Sequence, residues 1–197
     1  EVEEVQLTAV ADIRAARARS VGEEYGVRHF ESGSDLIASG LVEAVLIATP
    51  HYFHPTLAIE AFEAGLHVLS EKPVGVEIGA AERMAEAARK SGKVFAVNFQ
   101  MRALPMIRKA RQLVEAGEIG EIHRTLFMAP EFRSQAYYDS GSWRATWAGE
   151  GGGVLLNQAP HLMDVFCMLS GLPAKVTGHC SQRMHRIEVE DHVEAAL

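Results

Sequence analysis

The sequence predicts an α/β chain: a parallel sheet over residues 1–119, then part of an α+β segment over residues 120–197. Three observations carry this. Short β-like runs alternate with helical runs through the first half. The run Ala44–Thr49 (AVLIAT) is apolar throughout, as a strand covered on both faces should be. Near Gly117 the rhythm changes, and the last two β-like runs have no helix between them, which points to antiparallel pairing.

In order, Val5–Ala11 reads as a strand ending at Asp12, and Ile13–Tyr25 as a helix stopped by Gly26. Val27–Phe30 is a short strand, and Ser34 and Asp35 start a short helix. After Ala44–Thr49, Pro55 sits near the start of a helix that ends at Gly65. His67–Ser70 is a strand running into Glu71-Lys72-Pro73. Glu77–Ser91 is an amphipathic helix ended by Gly92; Lys93–Phe99 is a strand and Pro105–Ala116 a helix. Five β-runs separated by helices imply right-handed crossovers. Beyond Gly120, Ile122–Ala129 is a strand, and a polar, aromatic loop spans Pro130–Gly149. Gly151-Gly152-Gly153 opens a helix reaching about Leu169, and Lys175–Met184 and Glu190–Leu197 are the closing strands.

The 197 residues carry a net charge of −7 and no block of Lys or Arg, which disfavours a nucleic-acid partner. No apolar run approaches the roughly 18 residues that a membrane helix needs, so no membrane partner is expected. Cys167 and Cys180 form neither CxxC nor a zinc spacing and read as reduced thiols. A cytoplasmic location is expected. Glu1 begins no signal-like segment, and an export signal upstream stays open.

Four places could carry chemistry. Asp12 closes a strand before a helix, where it either caps the helix or accepts ribose hydroxyls. Thr49-Pro50-His51 follows the most apolar strand, and ligands of open α/β sheets bind outside strand carboxyl ends. His51 and His54 resemble a metal pair, but nothing nearby completes a ligand set, so no metal is expected. Lys72 also follows a strand directly, where burial lowers a lysine's pKa and makes it a proton carrier; the alternative is a surface turn. In the helix after the glycines, Asn157, His161 and Asp164 fall at i, i+4 and i+7 of an otherwise apolar helix. Such a stripe needs either a core network or a cleft, and the glycines favour the cleft by letting backbone approach a ligand closely.

Taken together, AVADI (9–13), ATPHYFHP (48–55), SEKPVG (70–75), NFQMR (98–102), SWRATW (142–147) and GEGGGVLLNQAPHLMD (149–164) resemble, in order and spacing, the motifs of the Gfo/Idh/MocA oxidoreductases. The resemblance implies a Rossmann domain over 1–119, followed over 120–197 by part of a domain whose open sheet mediates homo-oligomers. It implies hydride transfer between a nicotinamide cofactor and a CH–OH group of a sugar or cyclic polyol. An NAD-dependent glycosidase on the same fold, or a cofactor-binding regulator without turnover, are the alternatives. By the resemblance, Asp12, Thr49, Pro50, His54, Glu71, Lys72 and Gln100 surround the cofactor. Arg102, Arg144, Asn157 and His161 attend the substrate, and Lys72 and His161 handle the proton. NAD is expected over NADP because Asp12 would repel a 2′-phosphate, although Arg14 could offset this. Many members carry Asp where this chain has Asn157, which cannot ionise. The family's first strand, its GxGxxG turn and the far half of its second domain have no counterpart in these residues. A truncated product is therefore expected, and a poor enzyme on its own.

Overall fold

The computed structural model describes residues 4–197. These divide into two compact units. The first holds the chain up to Thr49 together with Phe53–Val97; the second holds Pro50–Tyr52 and Asn98–Leu197. No described helix is long and apolar enough to cross a membrane.

In the first unit, strands and helices alternate. β1 (Ala9–Ala11), α1 (Ala15–Tyr25), β2 (Arg28–Phe30) and α2 (Gly33–Ala38) come first. β3 (Ala44–Ile47), α3 (Phe53–Glu63), β4 (His67–Ser70), α4 (Ile78–Ser91) and β5 (Phe95–Val97) follow. All five expected strands form, and every pairing among them is parallel. They make two ladders, β1-β2 and β3-β4-β5, and β1 does not hydrogen-bond to β3. In the larger ladder Ile47, Ser70 and Val97 lie level. Gly26 and Gly92 end α1 and α4 with φ of 67° and 66°, the left-handed residue that closes a helix at low steric cost.

The core forms where α3 and α4 cover β3 and β4. Phe62 and Met84 pack there with Ile47 and Val68, and the Phe62 ring meets Phe95 edge-on at 5.6 Å. The opposite face is open, with Leu46 67% exposed. The expectation that AVLIAT is covered on both faces is therefore corrected: both packing helices lie on one side.

The second unit contains α5 (Pro105–Glu115), α6 (Gln135–Tyr138), α7 (Val154–Asn157), α8 (Pro160–Ser170), and an antiparallel pair, β6 (Thr177–Ser181) and β7 (His192–Ala196). The closing pair is as expected. Two other expectations are overturned. Ile122–Ala129 forms no strand. A strand exists by pairing, no described segment pairs with this one, and Leu126 is left 82% exposed. The helix after the glycines breaks in two, because Pro160 has no N–H to continue α7 and instead starts α8. Asn157 thus lies on one helix and His161 and Asp164 on the next. The segment is not buried all round, since Val165 alone in α8 is buried.

The turn into β7 is organised by one carboxylate. Asp191 accepts the N–H groups of Arg183 (2.7 Å), Met184 (2.9 Å) and His185 (2.9 Å), and lies 2.8 Å from Nδ1 of the His185 ring. Burial alone would raise its pKa. The four donors outweigh burial and hold it at about 2. A depressed carboxylate contributes its stability above its unfolded pKa, about 4, and loses it as pH falls toward the folded value. Asp191→Asn should therefore cost about 2 kcal/mol at neutral pH and flatten the acid loss of stability between about pH 4 and 2. Urea midpoints across that window check this; unchanged acid dependence in the variant would contradict it.

Candidate active site

In the first unit, the site residues sit at strand exits. Asp12 follows β1, and its main-chain N–H donates to Phe30. Its Oδ1 accepts the Arg14 main-chain N–H at 2.9 Å, and Arg17 lies 3.2 Å from Oδ2. Burial pushes the Asp12 pKa up, but the Arg14 hydrogen bonds and the charges of Arg14 and Arg17 pull it below the ordinary value. Arg14, not Asp12, is the N-cap of α1, so the capping alternative does not hold. The two arginines leave Asp12 ionised and partly accessible at the end of a parallel strand, which fits a ribose-binding carboxylate.

His54 is fully buried. Its Nδ1 is 2.8 Å from the Pro73 carbonyl and its Nε2 is 2.7 Å from the Thr49 carbonyl. One ring thus ties together the exits of β3 and β4. Glu71 donates its main-chain N–H to Ile47 (2.8 Å), and Lys72 donates its own to Oε2 of Glu71 (3.3 Å). Lys72 is half-buried, and its peptide bond to Pro73 is cis. Thr49, Glu71 and Lys72 therefore share the carboxyl edge of one ladder, the edge outside which open α/β sheets bind their ligands.

In the second unit, Pro50, His51 and Tyr52 join the loop before the glycines. His51 is buried, with Nδ1 2.8 Å from the Glu150 carbonyl, and Tyr52 donates its hydroxyl to the Trp147 carbonyl. Gln100 and Arg102 lie on a 3-10 turn, Gln100–Ala103. Arg102 grips Asp164 through two bonds, Nε to Oδ2 at 2.6 Å and Nη2 to Oδ1 at 2.5 Å. Its guanidinium lies 5.9 Å from the Phe99 ring, which meets the half-buried His161 ring edge-on at 5.9 Å.

Arg144 lies 4.7 Å from the Tyr137 ring and 4.6 Å from the Trp143 ring, and donates to the Tyr137 hydroxyl at 3.1 Å. Gly153 serves the chain itself. A Cβ on Gly153 would stand 1.9 Å from the Glu190 carbonyl oxygen, so only glycine lets the segment before β7 approach. Glu190 also accepts the N–H groups of Gly153 and Leu155 at 3.0 Å. At Gly153 backbone thus approaches backbone closely.

Two acids escaped the sequence reading. Glu190 caps α7, and Glu150 is buried beside Asn157 and Arg144. The only sequence signal for Glu150 is a charged residue flanked by glycines, which give it room to reach inward.

Residues 1–99 match the "Oxidoreductase family, NAD-binding Rossmann fold", and residues 107–197 match the "GFO/IDH/MocA C-terminal domain". D-glucoside 3-dehydrogenase of Escherichia coli is 30% identical over 186 residues, covering 92% of this chain and 52% of that protein. Inositol 2-dehydrogenase of Corynebacterium glutamicum is 38% identical over 118 residues, 59% of this chain and 35% of that protein. The WlbA dehydrogenase of Bordetella pertussis, solved with NADH and UDP-GlcNAcA, superposes with a TM-score of 0.92 at 32% identity, covering 98% of this chain and 60% of that one. The chain spans about half the length of D-glucoside 3-dehydrogenase.

The Arg102–Asp164 grip joins the 3-10 turn to α8 and so fixes the surroundings of His161. A double-mutant cycle of Arg102→Ala and Asp164→Ala should give a coupling of about 1 kcal/mol in unfolding free energy. Additive losses would mean that the pair does not hold these elements together.

Proposed function

The chain belongs to the Gfo/Idh/MocA family of oxidoreductases, and from that premise we propose that the protein moves a hydride between a CH–OH carbon of a sugar or cyclic polyol and a nicotinamide cofactor. The observation that carries this is the pairing of chemistry with placement. A half-buried lysine stands at a parallel-strand exit, and a half-buried histidine stands on a helix fixed by a bidentate ion pair.

Asp12 accepts the adenosine ribose hydroxyls, and its charge favours NAD over a 2′-phosphorylated cofactor. Thr49, Pro50, Glu71 and Gln100 line the cofactor, while His54 holds the backbone of that wall. When bound, the nicotinamide supplies the hydride acceptor. The protein supplies orientation and proton handling. Asn157, Arg102 and Arg144 orient the substrate hydroxyls. Lys72 and His161 receive the hydroxyl proton as the carbon loses its hydride, and return it in the reverse direction. The half-buried surroundings of both groups limit competition from water.

The test is turnover across a sugar and polyol panel, read by reduced-cofactor absorbance, beside cofactor affinity measured by calorimetry. Lys72→Ala should lower kcat by about 10²- to 10⁴-fold with little change in NAD affinity. Equal losses in both would make Lys72 a binding residue and overturn its proton role.

A further inference from the structure

Glu150 is 2% exposed, and it has no place among the cofactor and substrate residues named above. Burying a carboxylate costs several kcal/mol unless donors and a counter-charge meet it. Here they do. Oε2 accepts the N–H of Ala145 at 2.6 Å; Ala145 is itself buried and holds φ of 54°, a left-handed conformation that alanine rarely adopts. Oε1 accepts from Nδ2 of Asn157, and Nη1 of Arg144 lies 4.0 Å from it. The main chain of Glu150 is fixed as well: its N–H donates to Thr146 at 2.9 Å, and its carbonyl meets the His51 ring.

A carboxylate offers lone pairs only, so the Asn157 amide must turn its nitrogen toward Glu150. Its Oδ1 then faces away from Glu150, and an amide oxygen has two lone pairs with which to accept. We propose that Glu150 is a positioning residue of the substrate site: it fixes the Asn157 amide so that position 157 presents a non-ionising acceptor to a substrate hydroxyl, and its charge is the reason an aspartate does not suit position 157 in this chain. The substrate role of Asn157 rests on the function proposed above; the electrostatic pairing does not.

Replacing Asn157 by aspartate would set two carboxylates in hydrogen-bonding contact. Like charges that close share a proton, and one of the two pKa values rises. A carboxyl group with a raised folded pKa contributes its stability below its unfolded pKa and loses it as pH rises through the folded value. The other groups facing this pair are Arg144, His51, and Tyr137 through its bond to Arg144; His161 stands in the first turn of α8, past the break that follows Asn157. Tyr138 also faces it, and its phenol is pushed up by burial and by the Asp191, Tyr137 and Glu150 charges. Tyr138, its phenol pushed up, stays neutral and supplies no new transition between pH 5 and 8. His51 and His161 stand in every variant, so the comparison reads what N157D and E150Q change around them.

The experiment compares the parent chain with N157D, E150Q and the double variant N157D/E150Q. Thermal midpoints are measured from pH 5 to 8, without substrate or cofactor. N157D should lose about 4 °C or more relative to the parent as pH rises. The double variant should regain most of it, because the amide brought in by E150Q can donate to the carboxylate brought in by N157D. In turnover, the kcat/KM profile of N157D should gain an ionisation that the double variant lacks, and E150Q alone should raise KM for the substrate with NAD affinity unchanged. If N157D tracks the parent at every pH, or E150Q does not cancel its loss, the proposal is overturned. Midpoints behaving as described with no turnover by the parent on any sugar would instead support the pairing and overturn the oxidoreductase reading.

Discussion

Parallel pairing imposes the geometry on which everything else in the first unit depends. Neighbouring parallel strands cannot be joined by a tight turn, so each must leave the sheet at the same edge and return through a crossover. With Ile47, Ser70 and Val97 level across the ladder, the exits of β3 and β4 emerge side by side. Thr49, Glu71 and Lys72 are therefore gathered by the register of backbone hydrogen bonds, not by attraction among themselves. His54 then acts as a cross-tie. Its two ring nitrogens lie within hydrogen-bond distance of the Thr49 and Pro73 carbonyls, so one ring spans the two exits. The one-sided core beneath, built on Phe62 and Met84, gives that edge a rigid base.

The second unit solves the same problem by other means. Much of it has no regular secondary structure, so its backbone donors need partners from side chains. Three acids supply them. Glu150 meets the Ala145 N–H, Glu190 meets those of Gly153 and Leu155, and Asp191 meets those of residues 183–185. Each carboxylate holds a loop in one conformation. Arg144, on the loop beside Ala145, and Asn157, on the helix whose first N–H groups Glu190 meets, are fixed in this way, so local electrostatics in the second unit does what the ladder does in the first.

Legibility from sequence followed the range of the interactions. The helices and strands of the first unit were readable because their signals are local: a glycine one residue past α1 and α4, and short apolar runs between them. The break at Pro160 was equally local, and the apolar pattern around it masked a plain stop signal. Ile122–Ala129 misled because its composition suits a strand, while strand formation depends on a partner elsewhere. The open face of Leu46 misled for a similar reason, since composition records apolarity and not what covers it. The identities of Lys72, His161, Asp12 and Asn157 as chemical candidates were legible from ordered motifs. What their side chains meet was not. Nothing in the spacing of His54 shows that its ring lies between two carbonyls, and nothing in the glycine run shows that Glu150 turns inward to Asn157.

The central claim is that a carbon-bound hydrogen of the substrate moves to the nicotinamide while this chain's residues handle only the proton. A sugar or polyol deuterated at its carbinol carbons separates the two. After turnover with unlabelled NAD, mass spectrometry of the reduced cofactor should find the deuterium there. Label released to water, or cofactor left unlabelled while substrate is consumed, would contradict the account.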